Sequence, residues 1–229
     1  MTSAGWLVLA TSTTIALYAF FRAVHARHRL VLTLPVLASS IVLSLIVVFG
    51  KIDLRAYQEG ARPLSWLLGP ATVALAVPLY RNRALLRVHA RTVLTSIAIG
   101  SLVAMTSVLA IGAWFGLARP MLLTLAPKSV TTPIAMQLSE RLGGMPSLTA
   151  AIVVWTGVLG MAIGPAVLDV IGIRDRLARG VALGTAAHGI GTARALEEGA
   201  LEGAASSVAM VIAGILTAFV APVAVWFLG

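Results

Sequence analysis

The sequence predicts an all-α polytopic membrane protein, and three observations support that fold class. Only 11% of the 229 residues are charged, whereas a typical soluble domain has about 25%. Hydrophobic residues make up 59% of the chain and gather into windows of about 20 residues, the length at which a helix crosses a bilayer. Short basic loops separate these windows, as they do in inserted proteins. We therefore expect the lipid bilayer to surround most of the chain.

Six apolar windows are predicted to cross the bilayer as full helices. They cover residues 6–21, 30–49, 64–80, 93–117, 147–171 and 204–228. The first is not expected to be a cleavable signal peptide, because its basic residues follow the apolar run instead of preceding it. The third is short, and Gly69-Pro70 and Pro78 predict that it is bent or broken.

The loop charges predict the orientation of the helices. Loops 22–29 and 81–91 are rich in arginine, so the positive-inside rule places them in the cytoplasm and both termini outside. Loop 174–179 obeys the same rule only if the polar segments 119–142 and 179–198 both return to the side they entered from. The sequence therefore favours six full spans plus two re-entrant hairpins. Eight spans with two broken helices is the alternative.

A weak internal repeat agrees with two hairpins. The matched positions lie 57 residues apart and are Pro127 with Gly184, Glu140 with Glu197, Gly157 with Gly214, and Pro165 with Pro222. Each copy would contain one polar segment and one span, so the copies would be inverted, as in many transporters. The alternative is a chance similarity. On this basis residues 1–116 are predicted to be scaffold helices and residues 117–229 a transport-like half.

The first polar segment, 127–135, has the features of an anion receptor. Pro127 and Pro133 each suit the start of a helix, and Ser129, Thr131 and Thr132 are good residues to precede or cap one. The free N–H groups of a helix start attract anions, and Lys128 adds a full positive charge. The alternative is that Lys128 reaches the membrane surface and that the hydroxyls only cap the helix.

The second polar segment, 184–198, follows the same pattern. Gly184, Gly189 and Gly191 would let backbone approach backbone or a ligand closely, and Thr185 or Thr192 could cap a following helix. His188 could donate to an anion, and it titrates near neutral pH, which would couple binding to a proton. The alternative is a histidine that is hydrogen-bonded within the protein and packs the hairpin.

Arg194 completes the candidate binding residues, although its spacing favours a different role. It lies three and four residues before Glu197 and Glu198, the spacing at which helical side chains pair. A local ion pair is therefore favoured over ligand binding at this position.

Several function classes are not expected. The chain contains no cysteine, which excludes disulfides, thiol catalysis and cysteine-ligated metals. It carries no Ser-His-Asp pattern, HExxH motif or Walker loop, so we predict no enzyme, cofactor or metal site. The net charge of +9 falls in loops between spans, so it predicts membrane topology and not a nucleic-acid partner.

Three stretches resemble the LrgB/CidB family of membrane proteins. They are residues 127–135, 143–150 and 180–197, and the resemblance extends over essentially the whole chain. It implies a multi-pass protein of the bacterial inner (cytoplasmic) membrane. Bacterial members are described as antiholin-like regulators of murein hydrolase activity and autolysis that act with a small LrgA/CidA-type membrane protein. Plant plastid relatives resemble glycolate/glycerate translocators, and some bacterial relatives are linked to pyruvate uptake.

The polar segments favour transport over regulation. A carrier of small carboxylates needs Lys, Thr and His at membrane depth, whereas a regulator that acts through partner contacts has no evident need for them. We therefore predict a secondary transporter of glycolate-, glycerate- or pyruvate-like monocarboxylates, with an antiholin-like regulator as the alternative. The length of the chain suggests that an LrgA-type partner is a separate chain. A homodimer is compatible with a carrier of this size, although no residue indicates it.

Overall fold

The computed structural model describes residues 3–28, 33–67, 70, 73–74 and 76–226. These described residues form helices and connecting turns, and none of them lies in a strand. Their contacts divide the chain into two compact units, Met1–Ala74 and Leu75–Gly229. This division falls earlier than residue 116, where the sequence suggests that scaffold gives way to transport elements. That functional division stays a prediction.

The first unit is built around one long helix. Its elements are α1 (Ser3–His28), α2 (Pro35–Phe49), α3 (Leu54–Gly60) and α4 (Arg62–Trp66). Thr11 Oγ1 donates to the carbonyl oxygen of Gly60 at 2.8 Å, and Thr14 Oγ1 lies 2.7 Å from the Tyr57 hydroxyl. A Cβ at Gly60 would overlap the backbone carbonyl of Trp6, so glycine permits this contact. Helix α3 therefore packs beside the first half of α1.

The second unit is organised around its last helix. Its elements are α5 (Ala76–Arg81), α6 (Arg83–Val88), α7 (Ala90–Trp114), α8 (Arg119–Leu125), α9 (Thr132–Leu142), α10 (Pro146–Val170), α11 (Arg176–Glu198) and α12 (Ala200–Trp226). Helix α12 contacts α5, α7, α9 and α11. Ala204, Ala205 and Ala209 on its inner face are fully buried, and such small side chains allow close packing of membrane helices.

Among the described residues, four helices are long and apolar enough to cross a membrane by length and composition. They are α1, α7, α10 and α12, and α2 is apolar but only 15 residues long. Five of the six predicted windows thus coincide with apolar helices. The remaining window, 64–80, is only partly described. Its predicted kink at Gly69-Pro70 falls partly outside the described residues, because residues 68–69, 71–72 and 75 are not among them.

Helix α11 is a hairpin and not a straight rod. Its backbone leaves the helical region at Ala187 and at His188, where φ is 43° and ψ is −132°. Arg179 Nε lies 2.9 Å from Glu198 Oε2, although a straight helix would separate these residues by about 28 Å. A Cβ at Gly191 would overlap the carbonyl oxygen of Leu183, which also requires the chain to reverse between them. This segment, named hairpin 2 (176–198), therefore returns to its starting side, and the crossing alternative does not apply to it.

Helices α8 and α9 form a second reversal, named hairpin 1 (119–142). The chain turns at residues 126–131, and the end of α9 comes back to α8. The backbone N–H of Met145 donates to Thr124 Oγ1 at 2.9 Å, and Thr149 Oγ1 donates to the Thr124 carbonyl at 3.0 Å. Both polar segments thus enter and return, as the loop charges predicted.

The 57-residue repeat has a counterpart in the packing. Gly157 of α10 faces hairpin 2, where its Cβ would lie 2.7 Å from Cε1 of His188. The matched Gly214 of α12 faces hairpin 1, where its Cβ would lie 3.2 Å from Cδ1 of Ile134. Each long span therefore contacts the hairpin of the other copy as well as its own, although α12 packs most extensively against its own hairpin 2. The inverted arrangement of the two copies stays a prediction.

Candidate functional site

The tips of the two hairpins meet at one small polar cavity. Hydroxyl groups from four elements line it, namely Ser101 of α7, Ser129 of hairpin 1, Thr185 of hairpin 2 and Thr217 of α12. Apolar residues complete the lining: Met105, Ala126, Val130 and Ala213. Its volume is about 10 Å³, which is room for about one water-sized group. The two predicted polar segments are thus brought to the same place.

Two of the cavity's hydroxyls lack a hydrogen-bond partner among the described residues. Ser101 Oγ and Thr185 Oγ1 are both buried and unpaired. Leaving a buried hydroxyl unpaired costs about 1–3 kcal/mol, so folded proteins usually satisfy such groups. A pair of unpaired hydroxyls in one polar cavity marks a place where a ligand oxygen can bind.

Lys128 lies directly beside this cavity. The Lys128 Nζ atom donates to Ser129 Oγ at 3.1 Å, and Ser129 lines the cavity. The Lys128 side chain is half-buried, so its charge is partly removed from solvent. The positive charge predicted from the sequence is therefore placed within one hydrogen bond of the cavity lining.

Helix α9 starts next to Lys128 with its first turn uncapped by a side chain. Thr131 has the extended backbone of an N-cap (φ −61°, ψ 144°), but its hydroxyl makes no capping hydrogen bond. Thr132 begins the helix, and Pro133 occupies the first turn. Helix α9 thus begins at the second of the two prolines that the sequence offered as a helix start, and the Thr131 side chain does not cap it. N–H groups at this helix start thus keep their capacity to bind an anion.

His188 is bound to the protein at the tip of hairpin 2. Its Nε2 lies 3.0 Å from the carbonyl oxygen of Val153, and the residue is buried. A carbonyl only accepts, so Nε2 carries the proton in this contact. This hydrogen bond agrees with the packing role that the sequence left open for His188, and anion binding by His188 stays a prediction.

Thr192, Gly191 and Gly189 also shape hairpin 2. Thr192 Oγ1 donates to the His188 carbonyl at 2.9 Å and lies 2.9 Å from Ser206 Oγ, which can donate to it. Gly191 packs against Leu183, whereas a Cβ at Gly189 would meet only Met210 Sδ at 3.7 Å. These contacts join the two limbs to each other and to α12. None of the three residues lines the cavity.

Arg194 belongs to an ion-pair cluster at the base of hairpin 2. The pairs are Arg194 with Glu197 at 3.0 Å and Glu198 at 3.8 Å, Arg179 with Glu198 at 2.9 Å, and Arg176 with Glu202 at 2.7 Å. The pKa of Arg176 is raised above its usual value, first by its side-chain hydrogen bond to Glu202. Arg194 lies six residues, or about 9 Å of helix, beyond the tip at His188. Its partners are those that its spacing indicated.

A larger groove leads toward the same cavity. It has a volume of about 340 Å³ and lies between α7 and the first limb of hairpin 2. Its lining runs from Thr92 and Asp175 at one end to Thr185 at the other, and Thr185 also lines the polar cavity. The groove therefore runs from the base of hairpin 2 to Thr185, the residue that it shares with the cavity.

Sequence reasoning did not place Ser101 and Thr217 in the site. Each is a polar residue inside a long apolar span, and polar groups at membrane depth are costly unless they have a partner or a function. That cost is the signal that could have indicated them. It does not say which of the many span hydroxyls lack a partner, because a hydroxyl in a helix can bond to its own backbone, as Thr106 does at 2.8 Å.

Comparison with known proteins places the chain among bacterial membrane proteins. A model of the LrgB-like family matches residues 14–227. Two relatives from Bacillus subtilis (strain 168), the uncharacterized proteins YwbG and YxaC, are 40% and 37% identical to it. These matches cover 91% and 93% of this chain and 93% of each relative. A protein of Bacillus mycoides (strain KBAB4) named antiholin-like protein LrgB is 33% identical over 79% of this chain and 78% of its own length. No solved structure matches the chain.

Proposed function

The chain belongs to the LrgB-like family of multi-pass membrane proteins, and we propose that it is a secondary transporter of small monocarboxylates. The observation that carries this proposal is the meeting of two hairpin tips at a buried polar cavity with Lys128 beside it. Re-entrant segments whose tips meet near the middle of the bilayer are typical of carriers. Each limb of hairpin 2 has about 11 residues, or about 16 Å of helix, which reaches about half of a 30 Å bilayer core.

The chemistry of the site supports a small anion as the substrate. Lys128 supplies a positive charge, Ser129 a hydroxyl, and the start of α9 at Thr132 uncapped N–H groups. An ammonium, a hydroxyl and a helix start together match one carboxylate. The cavity of about 10 Å³ holds about one water-sized group, so only part of the substrate can occupy it, and the proposed substrates are short acids such as glycolate, glycerate and pyruvate. In this proposal the carboxylate lies on hairpin 1, and hairpin 2 supplies the opposing wall.

The packing of the two copies supports alternating access. Each long span packs against the hairpin of the other copy, so a tilt of one copy against the other would open the cavity to one side at a time. In this proposal the groove of about 340 Å³ along α7, which extends to the shared residue Thr185, would become the route from the base of hairpin 2 when the two copies move apart. A substrate that binds the two states differently can shift between them, which is the requirement for a carrier. The loop charges predict that this base faces the cytoplasm of a bacterial inner membrane.

The direct test is counterflow of radiolabelled glycolate into proteoliposomes that contain only this protein. We expect saturable uptake, and we expect Lys128→Ala to lower it at least about tenfold because the countercharge is lost. Lys51→Ala is the matched control, because Lys51 is the chain's other lysine and lies at an exposed turn of the first unit. Unchanged uptake by folded Lys128→Ala would exclude Lys128 as the countercharge.

The second candidate function is regulation of murein hydrolase activity with an LrgA/CidA-type partner. The observation that favours it is that relatives at 33% identity are named antiholin-like protein LrgB. Under this alternative, Lys128→Ala would still modulate autolysis in cells, because partner contacts and not a carboxylate would carry the activity. Absence of uptake of every short carboxylate by the folded wild-type protein would favour this alternative.

A further inference from the structure

We propose that the hydroxyls of Ser101 and Thr185 form a subsite for the C2 oxygen of the substrate. This subsite would select monocarboxylates with a hydroxyl or oxo oxygen at C2 over acids that lack it. The inference rests on the proposed transport function and adds a selecting role for two residues that the sequence did not place in the site. Both residues line the cavity, both hydroxyls are buried, and both lack a partner among the described residues.

The dimensions of the cavity fit a single oxygen atom. At about 10 Å³ it has room for about one water-sized group, which is too little for a carboxylate. The carboxylate is therefore expected on the Lys128 side, where Ser129 already receives a hydrogen bond from the ammonium. A substituent on the neighbouring carbon would then point at Ser101 and Thr185.

The chemistry of a hydroxyl suits both kinds of C2 oxygen. A serine or threonine hydroxyl can donate one hydrogen bond and accept others, so it pairs with an alcohol as well as with a carbonyl. The alternative ligands of an unpaired hydroxyl are a water or a small cation. Lys128 disfavours a cation, because its ammonium lies one hydrogen bond from the cavity lining.

The position of Thr185 is set by its neighbour on α7. A Cβ at Gly100 would lie 3.2 Å from the Thr185 methyl carbon Cγ2, so the methyl group faces α7 at the glycine. Gly100 and Thr185 also line the larger groove, which makes Thr185 the residue shared by the groove and the cavity.

The subsite predicts strong discrimination against acids without a C2 oxygen. Such an acid would leave both hydroxyls unpaired in the occupied site, and sites built to bond a substrate hydroxyl reject analogues that lack it. In counterflow competition, wild-type protein should be inhibited at least about tenfold more strongly by glycolate than by acetate. The pair pyruvate and propionate should behave in the same way.

The variants Ser101→Ala and Thr185→Val remove one hydroxyl each. We expect either change to bring the glycolate-to-acetate ratio to within about threefold by weakening glycolate alone. Thr185→Ser should restore the ratio because it keeps the hydroxyl. The matched control is Ser107→Ala, also on α7, whose exposed hydroxyl already donates to the Ala104 carbonyl at 3.3 Å. It should keep the wild-type ratio.

Thermal unfolding of the purified proteins separates this role from a structural one. Ser101→Ala should melt at the wild-type temperature or above it, because the removed hydroxyl has no partner to lose. Stabilisation by glycolate should nevertheless shrink in this variant. If Ser101→Ala does not fold, comparing Thr185→Val with Thr185→Ser tests the same role, because the two variants differ in the hydroxyl at position 185.

Three outcomes would overturn the inference. Wild-type uptake of glycolate with an unchanged selectivity ratio in both variants would overturn the subsite and leave the transport proposal intact. Absence of any carboxylate uptake by the wild-type protein would overturn the transport proposal and the subsite with it. Stabilisation by sodium chloride over choline chloride, lost in Ser101→Ala, would assign the two hydroxyls to a cation site.

Discussion

The two hairpins share a topology but use their polar side chains in opposite ways. In hairpin 2, His188 bonds to Val153 of α10 and Thr192 lies within hydrogen-bond distance of Ser206 of α12, so the tip is fixed to its surroundings. In hairpin 1, Lys128 bonds to the adjacent Ser129, and the Thr131 hydroxyl caps nothing. Polar groups of hairpin 1 are therefore available to bind a ligand. In hairpin 2 most polar groups are hydrogen-bonded within the protein, and Thr185 is the group left to bind a ligand.

The bases of the two hairpins are also held together by different kinds of interaction. Hairpin 1 is closed by neutral groups, because Thr149 Oγ1 lies 2.7 Å from Ser139 Oγ, which can donate to it, and all three residues Thr124, Ser139 and Thr149 are fully buried. Hairpin 2 is closed by charges, with Arg179 held between Glu198 and Asp169. One hairpin thus depends on a buried hydroxyl network and the other on ion pairs. Polar residues that look alike in the sequence therefore have different structural roles in the two hairpins.

Gly191→Ala is expected to have the largest effect on stability, because it acts on the packing of hairpin 2. A Cβ at this position would overlap the Leu183 carbonyl oxygen, so the limbs of hairpin 2 would have to separate. We expect a loss of about 1–3 kcal/mol in the free energy of unfolding, or failure to fold. Gly189→Ala is the matched control, because its Cβ would meet only Met210 Sδ at 3.7 Å. Equal melting temperatures of the two variants in detergent would contradict the packing of the limbs.

A second prediction concerns the backbone at His188. Its φ of 43° lies in the region that favours glycine, and such strain costs about 1–3 kcal/mol when it is not relieved. His188→Ala and His188→Gly both lose the bond to Val153, but only glycine accepts the backbone angles freely. We expect the glycine variant to be more stable than the alanine variant by about 1 kcal/mol in thermal unfolding.

The same pair of variants tests the role of His188 in binding. Because His188 does not line the cavity, the folded glycine variant should still be stabilised by glycolate. Loss of that stabilisation, with the fold retained, would indicate that His188 binds the substrate, as the sequence predicted.

The hairpins were predictable from the sequence because their signals are local. Prolines, glycines and polar residues inside apolar sequence mark a break, and the arginines of loop 174–179 decide whether the chain returns. The predicted re-entrant hairpins and the start of α9 are therefore reproduced in the fold.

The identity of the unpaired groups was not predictable, because it depends on distant partners. His188 finds a carbonyl 35 residues away, and Ser101 reaches the cavity from a separate helix. Whether a hydroxyl stays unpaired is decided by everything that packs around it, and no single stretch of sequence contains that information. The sequence thus indicated residues that are chemically able to bind an anion, and packing selected among them.

Arg194→Ala should have the smallest effect of these changes. The Arg194 side chain is 28% exposed and Glu197 is 50% exposed, and exposed helical pairs of this kind contribute about 0.3–0.5 kcal/mol. Glu198 keeps Arg179 as a partner after the change, so no buried charge is left alone. We expect a nearly unchanged melting temperature and an unchanged KM for glycolate uptake. A raised KM with an unchanged melting temperature would instead show that Arg194 contacts the substrate, and hairpin 2 would then offer a charge from its base.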